Sequence, residues 1–282
     1  MQGKLPLTNK TLNCKGKLVD LSTPKVMGIL NVTPDSFYDG GRLTDEASIL
    51  KQAERLLTEG ATFVEVGGYS SRPGATDISE EEEMKRILPV VQSLSKYFPE
   101  AIISIDTFRS EVARHAINEG ACIVNDISGG RLDSLMVETV AALGVPYILM
   151  HSRGTPQNMT QLTEYENLIK DVVDYFHQKV SNLQKAGVKD IIIDPGFGFA
   201  KNIEQNFQLL KHLGHFQILG KPLLVGLSRK SMIWKTLKAN LENALNGTTA
   251  LNTIALLKGA SILRVHDVKE AVETIKLIGA IA

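Results

Sequence analysis

Short apolar runs recur eight times along the chain, each ending in a polar, charged or glycine residue ahead of a turn-prone stretch. They occupy 26–30 before Asn31, 63–66 before Gly67-Gly68, 102–105 before Asp106 and 122–124 before Asn125-Asp126. The other four are 147–150 before His151, 191–193 before Asp194, 223–225 before Ser228-Arg229-Lys230, and 262–263 before Arg264-Val265-His266. Runs this short and this largely apolar read as strands buried on both faces. Helical patterns lie between them. The clearest begins at Ser79, with Glu82 completing a capping box, and sets Met84, Ile87, Leu88, Val91 and Phe98 on one stripe. Pro89 falls inside that stripe and predicts a kink or a break. The longest stripe runs through Leu168, Ile169, Val172, Val173, Phe176, Val180 and Leu183. Gly60, Gly120, Gly144, Gly187, Gly214 and Gly259 each stand a few residues before a strand, where a left-handed residue would end the preceding helix.

Strand and helix alternating throughout argue for parallel pairing, because each crossover needs a helix to bring the chain back. An open doubly wound sheet would strand its first and last members at distant edges. Both of these runs end in reactive groups, which favours closure: an α/β fold, a single-domain (β/α)8 TIM barrel with its chemistry at the carboxyl ends of the strands. Ahead of it, 11–14 and 17–21 flank Lys15-Gly16 and predict a short hairpin across the barrel bottom, dividing the chain into a hairpin segment, 1–24, and a barrel domain, 25–282.

The length of 282 residues suits one such barrel. With 31 basic and 31 acidic residues the net charge is +0, so nothing draws the whole molecule to nucleic acid or to an anionic membrane, and any anion must be held by a local cluster. The chain has 2 cysteines, too few for a disulfide framework, no signal-peptide pattern at the start and no run of the ~20 apolar residues that span a bilayer. A soluble, cytoplasmic protein with small-molecule partners is expected.

The strand ends carry a series of motifs. Residues 27–41 read M-G-I-L-N-V-T-P-D-S-F-Y-D-G-G and 65–75 read E-V-G-G-Y-S-S-R-P-G-A; both are strands running into turn-rich loops. Then come S-I-D-T at 104–107, V-N-D-I-S-G-G at 124–130, L-M-H at 149–151, D-P-G-F-G-F at 194–199, G-L-S-R-K-S at 226–231 and R-V-H-D at 264–267. In this order they resemble the dihydropteroate synthase family, over nearly the whole chain from residue 25 to about 267. That resemblance implies an enzyme, a transferase of folate biosynthesis. It joins 6-hydroxymethyl-7,8-dihydropterin pyrophosphate to 4-aminobenzoate, releases pyrophosphate, and is a target of sulfonamides.

The residues suit that chemistry. A pterin edge presents adjacent N–H donors and a carbonyl, so its receptor needs carboxylates and an amide in an apolar slot. Asp106, Asn125 and Asp194 supply them, with Ile127, Met150 and Phe199 as walls and Lys230 beside the ring. An aspartate after a strand is otherwise often only a helix cap or turn residue. Asp126, next to Asn125, should face the opposite side and be structural. Arg264 and His266, two residues apart on the eighth strand, and Arg72 would hold the pyrophosphate, and by resemblance Asn31 would bind both pyrophosphate and a magnesium ion.

Also by resemblance, Thr33, Pro34, Phe37, Ser71, Pro73, Lys230 and Ser231 line the aminobenzoate pocket. Asp106, Asp194, Lys230 and Arg264 form the catalytic set, and Asp35 takes the proton lost by the amine. The hypothesis is that carbon–oxygen cleavage runs ahead of attack, with the carboxylates facing a cationic methylene. The family's second motif usually reads D-x-G-G-E-S-T-R-P-G, so Glu65 here replaces Asp, Tyr69 replaces Glu and Ser71 replaces Thr. The family is generally homodimeric, and helices at 246–258 and 268–278 are the expected contributors. Two alternatives share the pterin slot: a methyltransferase passing a methyl group from a folate to a corrinoid, and a pterin-binding protein without turnover.

Overall fold

The protein is described by a computed structural model covering residues 10–32, 46–70 and 76–281, with Asn31 represented by its backbone. The hairpin pairs β1 (Thr11–Cys14) with β2 (Lys17–Asp20), Cys14 opposite Lys17. Its two-residue turn needs positive φ at both positions, and Lys15 at 52° and Gly16 at 88° supply it.

Eight parallel strands follow: β3 (Lys25–Asn31), β4 (Phe63–Gly67), β5 (Ile102–Asp106), β6 (Ile123–Asp126), β7 (Tyr147–Met150), β8 (Ile191–Asp194), β9 (Leu224–Val225) and β10 (Ile262–Val265). Each pairs with its neighbour in sequence, and β10 returns to lie beside β3, with Ile262 opposite Lys25. The ring closes between β8 and β9 at a single bridge, Ile193 to Leu223, where the Ile193 N–H donates to the Pro222 carbonyl at 3.0 Å. The expected barrel is formed, each of its strands within two residues of the apolar run that predicted it.

Period two sorts every strand. Val26, Val64, Val66, Ile103, Ile105, Val124, Leu149, Ile193, Val225 and Leu263 face outward into the shell of helices, α1 (Glu46–Thr58), α2 (Glu80–Tyr97), α3 (Ser110–Asn118), α4 (Met136–Leu143), α5 (Leu168–Lys185), α6 (Ile203–Lys211), α7 (Ser231–Thr236), α8 (Leu245–Leu257) and α9 (Val268–Gly279). Met27, Phe63, Ile123, Ile148, Ile192, Leu224 and Ile262 face inward and form the floor of the barrel, where Leu12, Cys14 and Val19 of the hairpin pack against them. Polar ties fix the plug: the Asn13 N–H donates to Asp190 Oδ2 at 2.9 Å and Lys17 Nζ to Glu100 Oε2 at 2.9 Å.

Three helix expectations need correction. The α2 helix runs unbroken through Pro89, beginning where Ser79 Oγ accepts the Glu82 N–H at 3.2 Å. Glu82 does not complete the box; its carboxylate takes Arg86 Nε one turn on, at 2.8 Å. Gly60, Gly120, Gly144, Gly187 and Gly259 do adopt positive φ, but Gly214 does not. Gly214 lies within a 3-10 segment, Leu213–Leu219, which ends at Gly220 with φ 61°. The extra turn postpones the left-handed residue.

Candidate active site

The polar interior starts one pleat above the floor. Two residues beyond Phe63, Ile123, Ile192 and Ile262 stand Glu65, Asn125, Asp194 and Arg264, so strand periodicity carries all four to the inner face. Asp106, at the end of β5 and registered with Asn125, joins them. Glu65, Asn125 and Asp194 are each no more than 5% exposed.

One carboxylate organises the group. Glu65 Oε1 accepts the Asn125 Nδ2–H at 2.7 Å, while Glu65 Oε2 accepts from both Nε and Nη2 of Arg264. The same Nη2 reaches Asp106 Oδ2 at 3.0 Å. Since Glu65 can only accept, it turns the NH2 end of Asn125 toward itself. The other end, Asn125 Oδ1, is buried without a partner among the described residues. A buried acceptor left in that state costs roughly 1–3 kcal/mol, which a ligand N–H would relieve.

Burial and charge then set the protonation states. Burial pushes the Asp106 carboxyl up to about 7, reinforced by Glu65 and opposed by Arg264. Asp194 is also raised by burial, against the Gly196 N–H and the charges of Lys230 and Arg264. Burial and the like charge of Arg264 bring Lys230 down to about 8. For Arg264 burial works against the charge, but Glu65 and Asp106 outweigh it and hold the guanidinium protonated.

The D-P-G-F-G-F loop shows why glycine is placed as it is. Asp194 Oδ1 accepts the Gly196 N–H at 2.8 Å in a tight turn with φ 72° at the glycine, where a Cβ would lie 2.0 Å from the His151 carbonyl oxygen. At Gly198 a Cβ would come within 3.1 Å of the Lys230 side chain, whose Nζ stands 4.5 Å over the Phe199 ring. The expected walls Ile127, Met150 and Phe199 form one apolar cluster, together with Met159 and Phe108.

His266 enters as a neutral group. Ser228 Oγ accepts the His266 backbone N–H at 3.2 Å and lies 3.0 Å from Nδ1, an arrangement satisfied when the hydroxyl donates to the ring. Burial, aided by Arg264, lowers the imidazole to about 4, so His266 offers an Nε2–H donor rather than a second cation. Beside it, Arg229 clamps Asp267 through two bonds of 3.0 and 2.6 Å, tying the loop after β9 to the loop after β10. Lys230 is the residue that caps α7, and Ser231, its first residue, is exposed. Asp126 is turned away, accepting the Ser128 and Gly130 N–H groups and the Tyr147 hydroxyl at 2.6–2.7 Å.

Thr33, Pro34, Asp35, Phe37, Ser71, Arg72 and Pro73 lie outside the described residues, as does the Asn31 side chain. Sequence reasoning missed two buried groups. Glu65 appeared only as a departure from a motif, although a lone charge two residues after an inward Phe63 was a usable signal. Lys201 was not singled out at all. Its Nζ donates to the Gly196 and Phe199 carbonyls at 3.1 and 3.0 Å and lies 3.0 Å from His151 Nδ1, bracing the loop behind Asp194. Tyr69, where the family carries Glu, stacks edge-on against Phe108 at 5.1 Å and accepts from Gln157 Nε2 at 2.9 Å, so the substitution is absorbed into a packed aromatic contact.

Residues 27–266 match the pterin binding enzyme family. The dihydropteroate synthase of Escherichia coli K12 is 43% identical over 271 residues, 95% of each chain. Among solved structures, the Yersinia pestis dihydropteroate synthase in a sulfonamide drug complex superposes with a TM-score of 0.90 at 41% identity, covering 96% of this chain and 98% of that one. The Xanthomonas albilineans enzyme with 4-aminobenzoic acid gives 0.90 at 38% identity, covering 97% and 98%. A barrel that gathers two carboxylates and an amide at three strand ends, aligned end to end with these enzymes, is a member of the pterin binding enzyme family and, within it, of the dihydropteroate synthases.

Proposed function

We infer that the chain is a dihydropteroate synthase that couples 6-hydroxymethyl-7,8-dihydropterin pyrophosphate to 4-aminobenzoate. The observation that carries this most is the set Asp106, Asn125 and Asp194, three groups able to read a donor-rich heterocycle edge, with one buried acceptor still unsatisfied. Asp106 and Asp194 would accept ring N–H groups, Ile127, Met150 and Phe199 would flank the ring, and Lys230 would approach its carbonyl. In the reaction the carbon–oxygen bond to pyrophosphate breaks, the aromatic amine nitrogen bonds to the methylene carbon, and the amine loses one proton. The two carboxylates would stabilise positive charge developing on the pterin methylene. Arg264 and the Nε2–H of His266 would face the departing diphosphate, helped by Arg72.

For aminobenzoate, Lys230 and Ser231 would meet the carboxylate, and Thr33, Pro34, Phe37, Ser71 and Pro73 would line the pocket. Asp35 would accept the amine proton. Magnesium is part of the proposal through Asn31. Among the described residues no three His, Cys, Asp or Glu side chains form a metal cluster. A lone amide with water and phosphate oxygens suits an ion that keeps most of its waters, and when bound it would add positive charge beside the leaving group.

The partner and compartment readings have separate support. Ile254 and Leu257 on α8 and Leu277 on α9 are exposed apolar side chains that suit a homodimer contact. Among the described residues no helix is long and apolar enough to cross a membrane, and Cys14 and Cys122 are unpaired thiols, as a reducing cytoplasm would keep them.

Mixing the protein with both substrates and measuring pyrophosphate tests the proposal. Release that requires aminobenzoate, is inhibited by a sulfonamide and yields dihydropteroate supports it. Methyl transfer to a corrinoid, or pterin binding with no turnover, would overturn it.

A further inference from the structure

Glu65 is nearly sealed inside the barrel, on the inner face of its strand two residues beyond Phe63, which belongs to the apolar floor. A charge in such a position needs partners on each oxygen, and it has them: Asn125 on Oε1 and Arg264 on Oε2. On the proposed function these two partners would serve the two halves of one substrate, Asn125 the pterin and Arg264 the diphosphate, so a single carboxylate would link the two recognition tasks.

We propose that Glu65 is a positioning residue for the reaction: it fixes which end of the Asn125 amide is offered to the heterocycle, and it holds Arg264 at the mouth of the same slot. This rests on the pterin reading above. An amide has a donor end and an acceptor end of nearly the same shape, and only its neighbours decide which way it points. Glu65 accepts and never donates, so it leaves Asn125 Oδ1 facing away as an acceptor, the atom found buried and unpartnered. Asp106, the group registered with Asn125, shares Arg264 with Glu65 and feels its negative charge. Removing the Glu65 charge therefore acts at three points: the amide loses its fixed orientation, Arg264 loses its main tether, and Asp106 ionises more easily.

The test compares wild type, Glu65→Gln and Glu65→Asp, with 6-hydroxymethylpterin as a binding probe that carries no diphosphate and so reports on Arg264 only through its bond to Asp106. Glutamine can donate as well as accept and permits both orientations of Asn125. Its dissociation constant for the probe should rise about tenfold, the size expected for one lost hydrogen bond to a buried group. In turnover, KM for the pterin pyrophosphate should rise with little change in KM for aminobenzoate, and the acid limb of kcat/KM should move to lower pH. Aspartate keeps the charge and cannot donate, so it should bind the probe within about threefold of wild type and leave the acid limb in place.

Wild-type binding of the probe with equal affinity in Glu65→Gln and an unmoved acid limb would overturn the role of Glu65 while leaving the pterin reading intact. Failure of wild type to bind the probe would overturn both. Should Glu65→Gln not fold, as judged by circular dichroism, Glu65→Asp decides alone: a tenfold or greater loss of probe affinity contradicts the proposal and retention supports it.

Discussion

At Asp106 the ionisation that matters falls inside the physiological range. Its carboxyl titrates near 7 and the Lys230 ammonium near 8. As pH falls through 7 Asp106 gains a proton and ceases to be a charged acceptor; as pH rises through 8 Lys230 loses its charge. The free enzyme's kcat/KM for the pterin substrate should therefore be bell-shaped with a narrow summit between these values, measured by initial rates across pH. A flat profile from pH 5 to 9 would contradict it. His266, titrating near 4, stays neutral throughout and contributes neither limb. Asp194→Asn replaces a charged acceptor by an amide, and the loss of a charge-assisted hydrogen bond of ~1.5–3 kcal/mol predicts roughly ten- to hundredfold weaker pterin binding, read by calorimetry. Asp106, Asn125 and Asp194 were legible because each terminates an apolar run. Glu65 was harder to read, because it sits inside its run: period two places it on the inward face with Phe63, but the partners that hold a buried charge there lie 60 and 199 residues away.

Elements deliver these groups, and their fine structure was only partly legible. The strands could be read from short apolar runs because burial on both faces leaves no other pattern. Helix interiors and ends depend more on context: Pro89 sits in α2 without breaking it, and Gly214 yields its role to Gly220 because a 3-10 turn intervenes. The loop after β8 gives the sharper prediction. Gly196→Ala would set a methyl 2.0 Å from the His151 carbonyl oxygen at φ 72°, so the loop must shift and Asp194 with it. Pterin affinity should fall at least tenfold, and the melting temperature should drop as well, the backbone strain alone amounting to roughly 1–3 kcal/mol. Retained affinity would show that the loop adapts without moving Asp194. Ser79→Ala serves as the contrast: loss of the α2 cap should cost about 1 kcal/mol in denaturant unfolding with turnover unchanged.

For the whole molecule, floor and rim are separable. The hairpin plugs the end of the barrel opposite the carboxyl ends of the strands, and Leu12 is fully buried there. Leu12→Ala should destabilise the fold by about 2–5 kcal/mol while leaving KM for both substrates near wild type, by parallel unfolding and kinetic measurements. A large KM change would mean that floor and rim are coupled. The barrel was legible as a whole because strand–helix alternation calls for parallel pairing, and reactive groups at the ends of the first and last runs favour a closed ring over an open sheet. The seam between β8 and β9, held by one bridge, was not, since the sequence there reads like any other strand. On the proposed function, Asp106, Asn125 and Asp194 together hold one flat heterocycle within that ring. A crystal structure with dihydropterin pyrophosphate decides the matter: ring N–H groups are expected within hydrogen-bond distance of all three side chains with the diphosphate beside Arg264, and a ring bound away from these three residues would refute the assignment.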